Sequence, residues 1–473
     1  MSVETKGRNK YLLKNTAIFA VGNFASKFVS FFLVPLYTAT LVAAEYGSAD
    51  LLYTICNFLI PLLTLNITEG ILRFSLDKNS DQKKIARIAC MMIIPLLVLA
   101  PFSVPILNLF DAYRDYAIYF MFYIITRGIS QIFLVSLKGQ EKLKKYTLGN
   151  ILHTLLIAGF NFVFLLGLHM GIAGYFLAYI LSDVIISLYG IKYSNVLQNL
   201  KGSNFDKTLF HKMIKYSAVL IPTTFMWWIM NFLDRVMVTE MIGQSANGIY
   251  AVSYKIPTIL SSVSSVFMQA WLFSAIKNNE SEDNTKYTNK VFNALAVILT
   301  GTSIIILTFV RQFFKIYVSA EYYTAWEYVP TLMIGHVFLT LSTFISTSYN
   351  VNKDSKGHLR SASIGAFANL ILNFMLIPRI GVRGAAIATT ISYITVFIYR
   401  LFDTQKYLKI KITPKFIINI ILVLISSALV FIDGYIALIT QAVILLIFIL
   451  MYRRSLKVLF LSINALKKKA DQK

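Results

Sequence analysis

Long apolar runs alternate with short polar clusters along almost the whole chain. A run of about 20 apolar residues is long enough to cross the hydrocarbon core of a membrane as a helix. The runs are separated by short loops, so we predict about fourteen transmembrane helices. The predicted spans are 12–40, 46–70, 86–108, 116–137, 147–168, 172–191, 214–240, 246–275, 290–316, 325–350, 361–378, 383–401, 416–432 and 435–452.

The first twelve predicted spans form two groups of six that resemble each other. Asn161 and Phe162 occupy the same place in the first group as Asn373 and Phe374 in the second, and a basic loop lies upstream of both pairs. Small residues recur on any helix-packing surface, but the matching order, spacing and loop charge favour a true repeat. After a gap of two residues, Gly171, Gly174, Ala178 and Ser182 match Gly381, Gly384, Ala388 and Ser392.

A repeat unit with an even number of spans gives two halves of the same orientation, related by an axis along the membrane normal. We therefore predict an all-α polytopic membrane protein with two six-helix lobes related by a pseudo-two-fold repeat. Residues 1–200 form the predicted N-terminal lobe and residues 201–410 the predicted C-terminal lobe. Residues 411–473 supply two extra transmembrane helices and a basic tail.

The composition agrees with this fold class, because 57% of the 473 residues are hydrophobic and only 14% are charged. The formal net charge of +23 does not indicate nucleic-acid binding, since the cations lie in short clusters between apolar runs. Of the 45 Lys and Arg residues, 36 lie in or beside the N-terminus, the tail and every second loop, and 5 lie on the opposite side. Cytoplasmic loops carry such an excess, so both termini are predicted to be cytoplasmic.

Motifs for catalysis or metal binding are missing from the sequence. It has no GxxxxGK[ST] phosphate loop, no HExxH motif, no nucleophile elbow and no soluble segment long enough for an ATPase domain. Cys56 and Cys90 lie in apolar runs and have neither the spacing of a zinc site nor that of a disulfide framework. We therefore expect no enzyme activity and no cofactor or metal. The amino-terminal segment lacks a small-residue cleavage site and is expected to remain uncleaved.

The remaining four basic residues, which are not counted in or beside any loop, lie within predicted spans, where an ionisable group costs several kcal/mol unless it faces a partner or a cavity. Lys27 in span 1 and Lys255 in span 8 lie on polar stripes, Arg235 ends a similar stripe in span 7, and Arg127 is central in span 4. We predict that these four cations line a hydrated, positively charged cleft that binds the substrate. Each also has a structural interpretation, as a salt-bridged residue, an interfacial residue near a helix end or, for Lys255, a side chain that reaches the membrane surface.

Other polar residues of the spans are candidates for ion coupling or for lining the same cleft. Asp183 in span 6 has an alternative role, because it can pair with Arg127 inside the first lobe. Glu69 lies near the cytoplasmic end of span 2, where a surface position is the simpler interpretation. His153 and His336 could titrate near neutral pH, but a histidine inside a helix bundle is more often packed and hydrogen-bonded. The full set of coupling or cleft candidates is Asp50, Asn57, Asp183, Asn231, Asp234 and Glu69.

Twin GxxG segments, basic loops and a plan of six plus six plus two spans resemble one known family. The opening KNTAIFAVGNFASKFVSFFLVPLYTATLVAAEYGSADL, with Tyr46 and Gly47, is similar to that family's first hairpin, and GVRGAAIATTISY is similar to its span 12. On these segments the chain resembles the polysaccharide-exporter branch of the multidrug/oligosaccharidyl-lipid/polysaccharide (MOP) flippase superfamily. The resemblance is strongest to the O-antigen or capsule repeat-unit flippases called Wzx.

The resemblance implies a function in O-antigen, lipopolysaccharide or capsule synthesis. Such a flippase moves an undecaprenyl-diphosphate-linked oligosaccharide from the cytoplasmic to the periplasmic leaflet of the bacterial inner membrane by alternating access. Membrane lipids would be partners, as would a polysaccharide polymerase and chain-length proteins. A cleft lined by cations would replace the lost hydration of the diphosphate while the prenyl tail stays in lipid. Coupling to an H⁺ or Na⁺ gradient is one expected energy source.

Three other functions compete with this interpretation. A multidrug extruder of the MATE type would export organic cations and should favour acidic groups in its cleft. A lipid II flippase would also have fourteen helices and a cationic cavity, so the sequence separates it poorly from a Wzx-like protein. A membrane polymerase or glycosyltransferase would need a sizeable catalytic loop, and the predicted outer loops are short.

Overall fold

The computed structural model describes residues 27–77, 80–201, 204–277, 284–436 and 438–453. These residues form helices with short connections, and no strand occurs among them. Helices satisfy every backbone hydrogen bond internally, which a lipid environment requires. Ten of the helical segments are long and apolar enough to cross a membrane. One further long helix (Gln244–Lys277) and three shorter apolar helices bring the count in the described part to fourteen, as predicted.

The first lobe begins with α1 (Lys27–Thr40) and α2 (Ala43–Leu63). The remaining helices of this lobe, in chain order, are α3 (Ile67–Ser75), α4 (Gln82–Met91), α5 (Ile93–Leu99), α6 (Ser103–Leu107), α7 (Ala117–Gly139), α8 (Leu143–Asn161), α9 (Gly171–Ser194) and α10 (Val196–Leu200).

The second lobe begins with α11 (Lys207–Met241) and α12 (Gln244–Lys277). It continues with α13 (Asn284–Tyr317), α14 (Val329–Val351), α15 (Ser355–Ile380) and α16 (Val382–Asp403), and α17 (Pro414–Leu429) and α18 (Leu438–Arg453) follow. We call the end of the bundle with the Lys- and Arg-rich loops the cytoplasmic end and the opposite end the outer end. The membrane orientation and the exact lobe boundaries stay predictions, and residues 1–26 and 454–473 lie outside the described residues.

Predicted span 2 is divided into two helices. The backbone leaves the helical conformation at Leu65 and Asn66, whose φ angles are +50° and +54°, and α3 begins at the next residue. The break follows Pro61, whose carbonyl accepts a hydrogen bond from the Asn66 N–H at 2.6 Å. A proline inside a helix lacks the amide hydrogen that continues the ladder. That missing hydrogen bond concerns the turn before Pro61, so the break itself is made by the left-handed conformations of Leu65 and Asn66.

Predicted span 3 is also interrupted, because it contains three prolines. Pro95, Pro101 and Pro105 lie in α5, in a short 3-10 turn and in α6. Together with α4, these pieces still form one apolar segment over Gln82–Leu107. Sequence periodicity gives the length of such a segment but does not reveal its local breaks.

Each lobe is a bundle whose helices pack on one another through buried apolar side chains. In the first lobe α9 packs on α7 and α8, and in the second lobe α16 packs on α14 and α15. Both central helices carry the small residues matched in the repeat, and Gly174, Ala178, Gly384 and Ala388 are all buried. Small residues let helices approach closely in a membrane. The packing therefore agrees with the repeat found in the sequence.

The two lobes touch at a reciprocal crossing of α2 and α12. A Cβ atom on Gly47 would collide with the carbonyl oxygen of Gln244, and one on Gly248 would collide with that of Ala43. Each glycine thus faces the carbonyl four residues before the other glycine. The Asn247 side chain donates to the Gly47 carbonyl at 2.8 Å. Only glycine permits such close backbone contact, so the crossing fixes how closely the lobes approach at the outer end.

The two extra helices pack against the second lobe, where α17 contacts α13 and α14. Arg311 on α13 holds the connection between α17 and α18, because it donates to the carbonyls of Val430 and Ile432 at 3.3 and 3.1 Å. Its guanidinium also pairs with Asp433 at 2.7 Å and lies 4.5 Å from the ring centre of Trp326. The α17–α18 hairpin is therefore anchored at its outer end.

Candidate functional site

The long interface between the lobes is formed by α2 and α3 on one side and α11 on the other. The two segments run antiparallel from the outer end to the cytoplasmic end. Asp50 meets Arg235 near the outer end, and Phe58 stacks on Trp228 further in, with ring centres 4.2 Å apart. Towards the cytoplasmic end, a Cβ atom on Gly70 would collide with Ser217. Polar residues of both lobes thus face each other at one level of this interface.

The carboxylate of Asp50 lies at the centre of this polar level. It pairs with Arg235, with 2.6 Å between Oδ2 and the guanidinium Nη1, and both residues are more than nine-tenths buried. The same Nη1 lies 3.4 Å from the hydroxyl of Thr54, one helical turn after Asp50. Burial of a lone guanidinium would cost several kcal/mol, so Asp50 offsets much of the cost of placing Arg235 between the lobes.

Two lysines extend the charge of this level. The Nζ atom of Lys255 is 4.0 Å from Asp50 Oδ1, so the two carboxylate oxygens face two different cations. The Lys255 side chain is one-third exposed, and its ammonium lies 6.0 Å from the ring centre of Tyr46. Lys27, exposed in the first described turn of α1, is near enough for its charge and that of Lys255 to repel each other. We call Lys27, Asp50, Arg235 and Lys255 the inter-lobe cluster.

The carboxylate of Asp234 points in a different direction from the side chain of its neighbour Arg235. Its buried carboxylate accepts hydrogen bonds from Tyr250 at 2.7 Å, Tyr254 at 2.9 Å and Thr389 at 3.0 Å. All three donors belong to the second lobe. Asp234 therefore lies within that lobe and leaves Asp50 as the carboxylate that faces the inter-lobe cations.

Asn231 lies one helical turn from Arg235, yet it also contacts the interior of the second lobe. Its side-chain oxygen accepts a hydrogen bond from Tyr393 on α16 at 2.7 Å, and its amide donates to the Trp227 carbonyl. In the first lobe, Asn57 donates to the Tyr53 carbonyl at 2.8 Å. Asn231 and Asn57 thus support their helices, and their predicted part in ion coupling stays a prediction.

Arg127 and Asp183 form a buried network inside the first lobe. The Arg127 guanidinium is 3.3 Å from Asp183 Oδ1, and the Ser130 hydroxyl donates to the same oxygen at 2.5 Å. The His153 ring nitrogen Nε2 lies 3.1 Å from it. Asp183 is fully buried. Of the two interpretations given by the sequence, the geometry supports pairing within the lobe, and it does not bring Arg127 into the inter-lobe cluster.

Glu69 lies far from this cluster along the helices, and the His336 ring packs on the ring of Tyr254, which in turn contacts the Arg235 guanidinium. Glu69 is exposed in the first turn of α3, beyond the break at Leu65 and Asn66, and about five helical turns along the chain from Asp50. His336 is buried in α14, where its Nδ1 lies 2.9 Å from the Leu332 carbonyl oxygen. Both positions match the simpler interpretation of the sequence, a surface carboxylate and a packed histidine.

Hydrogen bonds between the lobes close the outer end. The Ala43 N–H donates to Glu321 at 2.8 Å, the Tyr322 hydroxyl donates to the Leu41 carbonyl at 2.9 Å, and Ser319 donates to the Thr38 carbonyl at 2.7 Å. These donors and acceptors join the α1–α2 connection to the segment before α14. Together with the glycine crossing, they hold the described parts of the two lobes together on the outer side of the inter-lobe cluster.

One ion pair joins the lobes at the cytoplasmic end. Lys84 on α4 lies 2.9 Å from Asp206, which precedes α11 and also accepts a hydrogen bond from the Leu209 N–H. The Leu209 N–H and then Lys84 hold the pKa of Asp206 below its usual range. Asp206 therefore stays ionised at neutral pH. Both side chains are partly exposed, so the pair contributes little to stability.

Sequence reasoning missed a buried cation, Arg400, because it counted this residue at the end of predicted span 12 (383–401) with the cations of the adjacent basic loop. The structure corrects this assignment, because Arg400 is fully buried in the last turns of α16. It donates to the Ser361 hydroxyl and the Ser342 carbonyl, each at 3.0 Å, and its guanidinium lies 5.4 Å from the ring centre of Trp227. Arg400 lies next to the cations of the loop in the sequence, which hid its buried position. It also lies seven residues after Tyr393, two helical turns along the same helix face, and this spacing could have indicated that it faces the interior of the bundle.

Comparisons with known proteins support a transporter fold. Residues 12–277 match the profile of a family described as polysaccharide biosynthesis protein. The probable low-salt glycan biosynthesis flippase Agl15 of Haloferax volcanii is 23% identical over 287 residues, which are 59% of this chain and 59% of that protein. The chain spans about half the length of the curated relatives it matches.

Solved transporters have the same fold. The lipid II flippase MurJ in an inward closed conformation superposes with a TM-score of 0.68 at 14% identity, covering 93% of this chain and 100% of that one. A multidrug resistance MATE family transporter of the MOP superfamily, in an inward-facing conformation, gives a TM-score of 0.59 at 13% identity, covering 83% and 94%. Both similarities describe the arrangement of helices.

Proposed function

Because the chain belongs to the polysaccharide biosynthesis protein family of the MOP superfamily, we propose that it is a flippase for a lipid-linked glycan. Its substrate is an undecaprenyl-diphosphate-linked oligosaccharide repeat unit, as in O-antigen or capsule synthesis. The protein moves the headgroup from the cytoplasmic to the periplasmic leaflet of the bacterial inner membrane. The prenyl tail stays in the hydrocarbon part of the membrane throughout, so none of its apolar surface is transferred into water.

The inter-lobe cluster is the observation that carries this proposal. Arg235 and Lys255 of the second lobe face the Asp50 carboxylate at the interface that alternating access would open, and Lys27 of the first lobe adds a third cation near Lys255. A diphosphate needs such a site, because its negative charge must exchange water for other charges on the way through the membrane. Arg127 has no part in this site, and its proposed role is to hold the first lobe together through Asp183.

The contacts at the two ends of the interface support the proposal of alternating access. The outer end is held by the glycine crossing of Gly47 and Gly248 and by hydrogen bonds to the segment before α14. We take this arrangement as a state closed on the outer side, in which the Lys84–Asp206 pair also joins the lobes at the cytoplasmic end and would part to admit substrate. Rocking of the lobes would break the outer contacts and expose the inter-lobe cluster to the periplasm, as repeat-built transporters commonly do.

Loss of the gene in its host tests the function. We expect undecaprenyl-linked repeat units to accumulate on the cytoplasmic side and the surface polysaccharide to disappear. Normal polysaccharide combined with sensitivity to cationic drugs would contradict the proposal and support a MATE-type extruder. The cation excess of the inter-lobe cluster argues against that extruder, because it would repel an organic cation.

Single substitutions test the site. Lys27→Ala and Lys255→Ala should each reduce export of the glycan at least about tenfold, because each removes a charge that faces the diphosphate. The protein should remain in the membrane at its normal amount. Lys409→Ala is the matched control, since this exposed lysine lies in the connection before α17. Full export by both cleft variants would contradict the proposed site.

A lipid II flippase would carry the same diphosphate, so these variants do not separate the two cargoes. Complementation of two mutant strains separates them. We expect the gene to restore surface polysaccharide in a strain that lacks its repeat-unit flippase, and not to rescue a strain depleted of its lipid II flippase. The reverse result would assign the cargo to peptidoglycan synthesis.

For the energy source we propose an H⁺ or Na⁺ gradient, with Asp183 and Asp234 as the candidate coupling carboxylates. Both are fully buried, one in each lobe, and both accept hydrogen bonds from hydroxyl groups. Transport into vesicles under an imposed gradient of each ion, with Asp183→Asn and Asp234→Asn, tests this. Gradient-dependent transport that is unchanged in both variants would exclude the two residues.

A further inference from the structure

The carboxylate of Asp50 has no obvious place in a site for an anion. It projects from α2 into the space between Arg235 and Lys255, and it is 97% buried there. A cleft evolved only to attract phosphate would be stronger without it. We propose that Asp50 determines substrate specificity by making the inter-lobe cluster select a diphosphate-linked lipid over lipids with a single phosphate. This inference rests on the proposed function and deepens it.

The carboxylate of Asp50 occupies the position beside Arg235 that the phosphate of an incoming lipid would take. Its Oδ2 lies 2.6 Å from the guanidinium Nη1 of Arg235, and its Oδ1 lies 4.0 Å from the ammonium of Lys255. An anion that binds Nη1 of Arg235 must therefore displace one carboxylate oxygen. The Arg235 Nε is buried without a hydrogen-bond partner in the described part of the chain, so the guanidinium has a donor left to offer.

A single phosphodiester gains little from this exchange. It brings one negative charge and displaces one, so Arg235 is no better neutralised than before, and the buried Asp50 is left with a weaker partner at 4.0 Å. Removal of one partner of a buried pair is strongly unfavourable. The resident carboxylate thus makes common membrane phospholipids poor competitors for the cluster.

A diphosphate that links a lipid to a sugar brings two negative charges. One phosphate can accept from Arg235 while the other meets Lys27 and Lys255, the two cations that Asp50 does not neutralise closely. Three cations then face three anionic groups, Asp50 and two phosphates. Asp234 also adds negative charge near Arg235, but it does so with either lipid, because its Oδ2 is held by three hydroxyl groups inside the second lobe and its Oδ1 by the Arg235 N–H.

Two lipids that differ by one phosphate provide the test. Undecaprenyl-diphosphate-N-acetylglucosamine and undecaprenyl-phosphate-N-acetylglucosamine share their tail and their sugar and carry two charges and one. Equilibrium binding of each radiolabelled lipid is measured with the purified full-length protein in neutral phosphatidylcholine nanodiscs. We expect the wild-type protein to bind the diphosphate lipid at least about tenfold more tightly, the effect of one further charge in a partly desolvated site.

Asp50→Asn should reduce this ratio to below about threefold, mainly by tighter binding of the monophosphate lipid to the freed Arg235. Asp50→Glu keeps the carboxylate and should restore most of the discrimination. The matched control is Glu240→Gln, which removes one exposed carboxylate from the outer end of α11 and should leave the ratio unchanged.

The outcomes separate this inference from the proposed function. Equal binding of both lipids by the wild-type protein would overturn the inference, whether or not the Asp50→Asn variant folds. An unchanged ratio in a folded Asp50→Asn variant would overturn it as well. In both cases binding of the diphosphate lipid would still support the flippase. Absence of binding to either lipid would overturn the proposed function itself.

Discussion

Asp50 and Arg235 form a buried ion pair that connects the two lobes, with 2.6 Å between the carboxylate and the guanidinium. The two residues are 185 positions apart in the chain. A buried pair of this kind adds little net stability compared with apolar residues, but the loss of one partner is costly. The pair therefore holds two domains in one relative position while remaining exchangeable for another anion.

The first prediction concerns the stability of this pair. Arg235→Ala should lower the free energy of unfolding by about 3–5 kcal/mol, because it leaves a buried carboxylate with only Lys255 nearby. The double variant Asp50→Asn with Arg235→Gln should lose less than the sum of the two single variants. Thermal unfolding of the purified protein in detergent gives the three values. If the losses of the two single variants add up to the loss of the double variant, the two side chains do not interact in the purified protein.

Much of the fold was predictable because its signal is local. The apolar length of each span is set by the thickness of the membrane, and all fourteen predicted spans have helical counterparts. Pairing of Arg127 with Asp183 was one of two interpretations of the sequence, but the partners across the two lobes were not predictable, since they depend on the relative rotation of distant helices. Asp50 and Arg235 were each singled out as polar residues of spans, yet nothing in the sequence indicated that they meet. Arg400 shows the opposite error, because a buried residue was hidden among loop cations.

The second prediction concerns the network inside the first lobe. Arg127→Ala should destabilise the protein by about 3–5 kcal/mol, because Asp183 is fully buried and would lose its guanidinium partner. Its effect on substrate affinity should be small. Arg127→Ala with Asp183→Asn should recover part of the stability.

Unfolding measurements and lipid-binding titrations on the same preparations check this prediction. Lys255→Ala serves as the comparison, because it should weaken substrate binding more than it lowers stability, its side chain being one-third exposed. A folded Arg127→Ala variant of normal stability that fails to bind the lipid would instead place Arg127 in the substrate site, as one interpretation of the sequence proposed.

The third prediction separates two interactions of Arg311 at the outer end of α17. Arg311→Ala should lower the free energy of unfolding by about 2 kcal/mol, because the carbonyls of Val430 and Ile432 lose a charged donor. Asp433→Asn should cost less than about 1 kcal/mol, since Asp433 is 86% exposed and its ion pair is screened by solvent. Protease cleavage between α17 and α18, followed with time, measures the loosening of the hairpin. Equal effects of the two substitutions would mean that the ion pair, and not the carbonyl contacts, anchors it.

The last prediction concerns the crossing of α2 and α12. Gly47→Ala or Gly248→Ala places a methyl group against a backbone carbonyl of the other lobe, and overpacking of this kind costs about 1–3 kcal/mol. The cost falls only on the state in which the outer end is closed. Each variant should therefore shift the protein towards outer-open states and slow export of the glycan. The shift can be followed with cysteines at positions 38 and 319 in a protein in which Cys56 and Cys90 are replaced by alanine. In the closed state the side chain of each residue, Thr38 and Ser319, hydrogen-bonds to the backbone of the other. A short thiol cross-linker should join the cysteine pair less efficiently in both glycine variants.

Gly159→Ala is the matched control, because no atom lies within 4 Å of the added methyl group. If cross-linking and export in the Gly47→Ala and Gly248→Ala proteins equalled those of the control, the crossing would not limit how the lobes close.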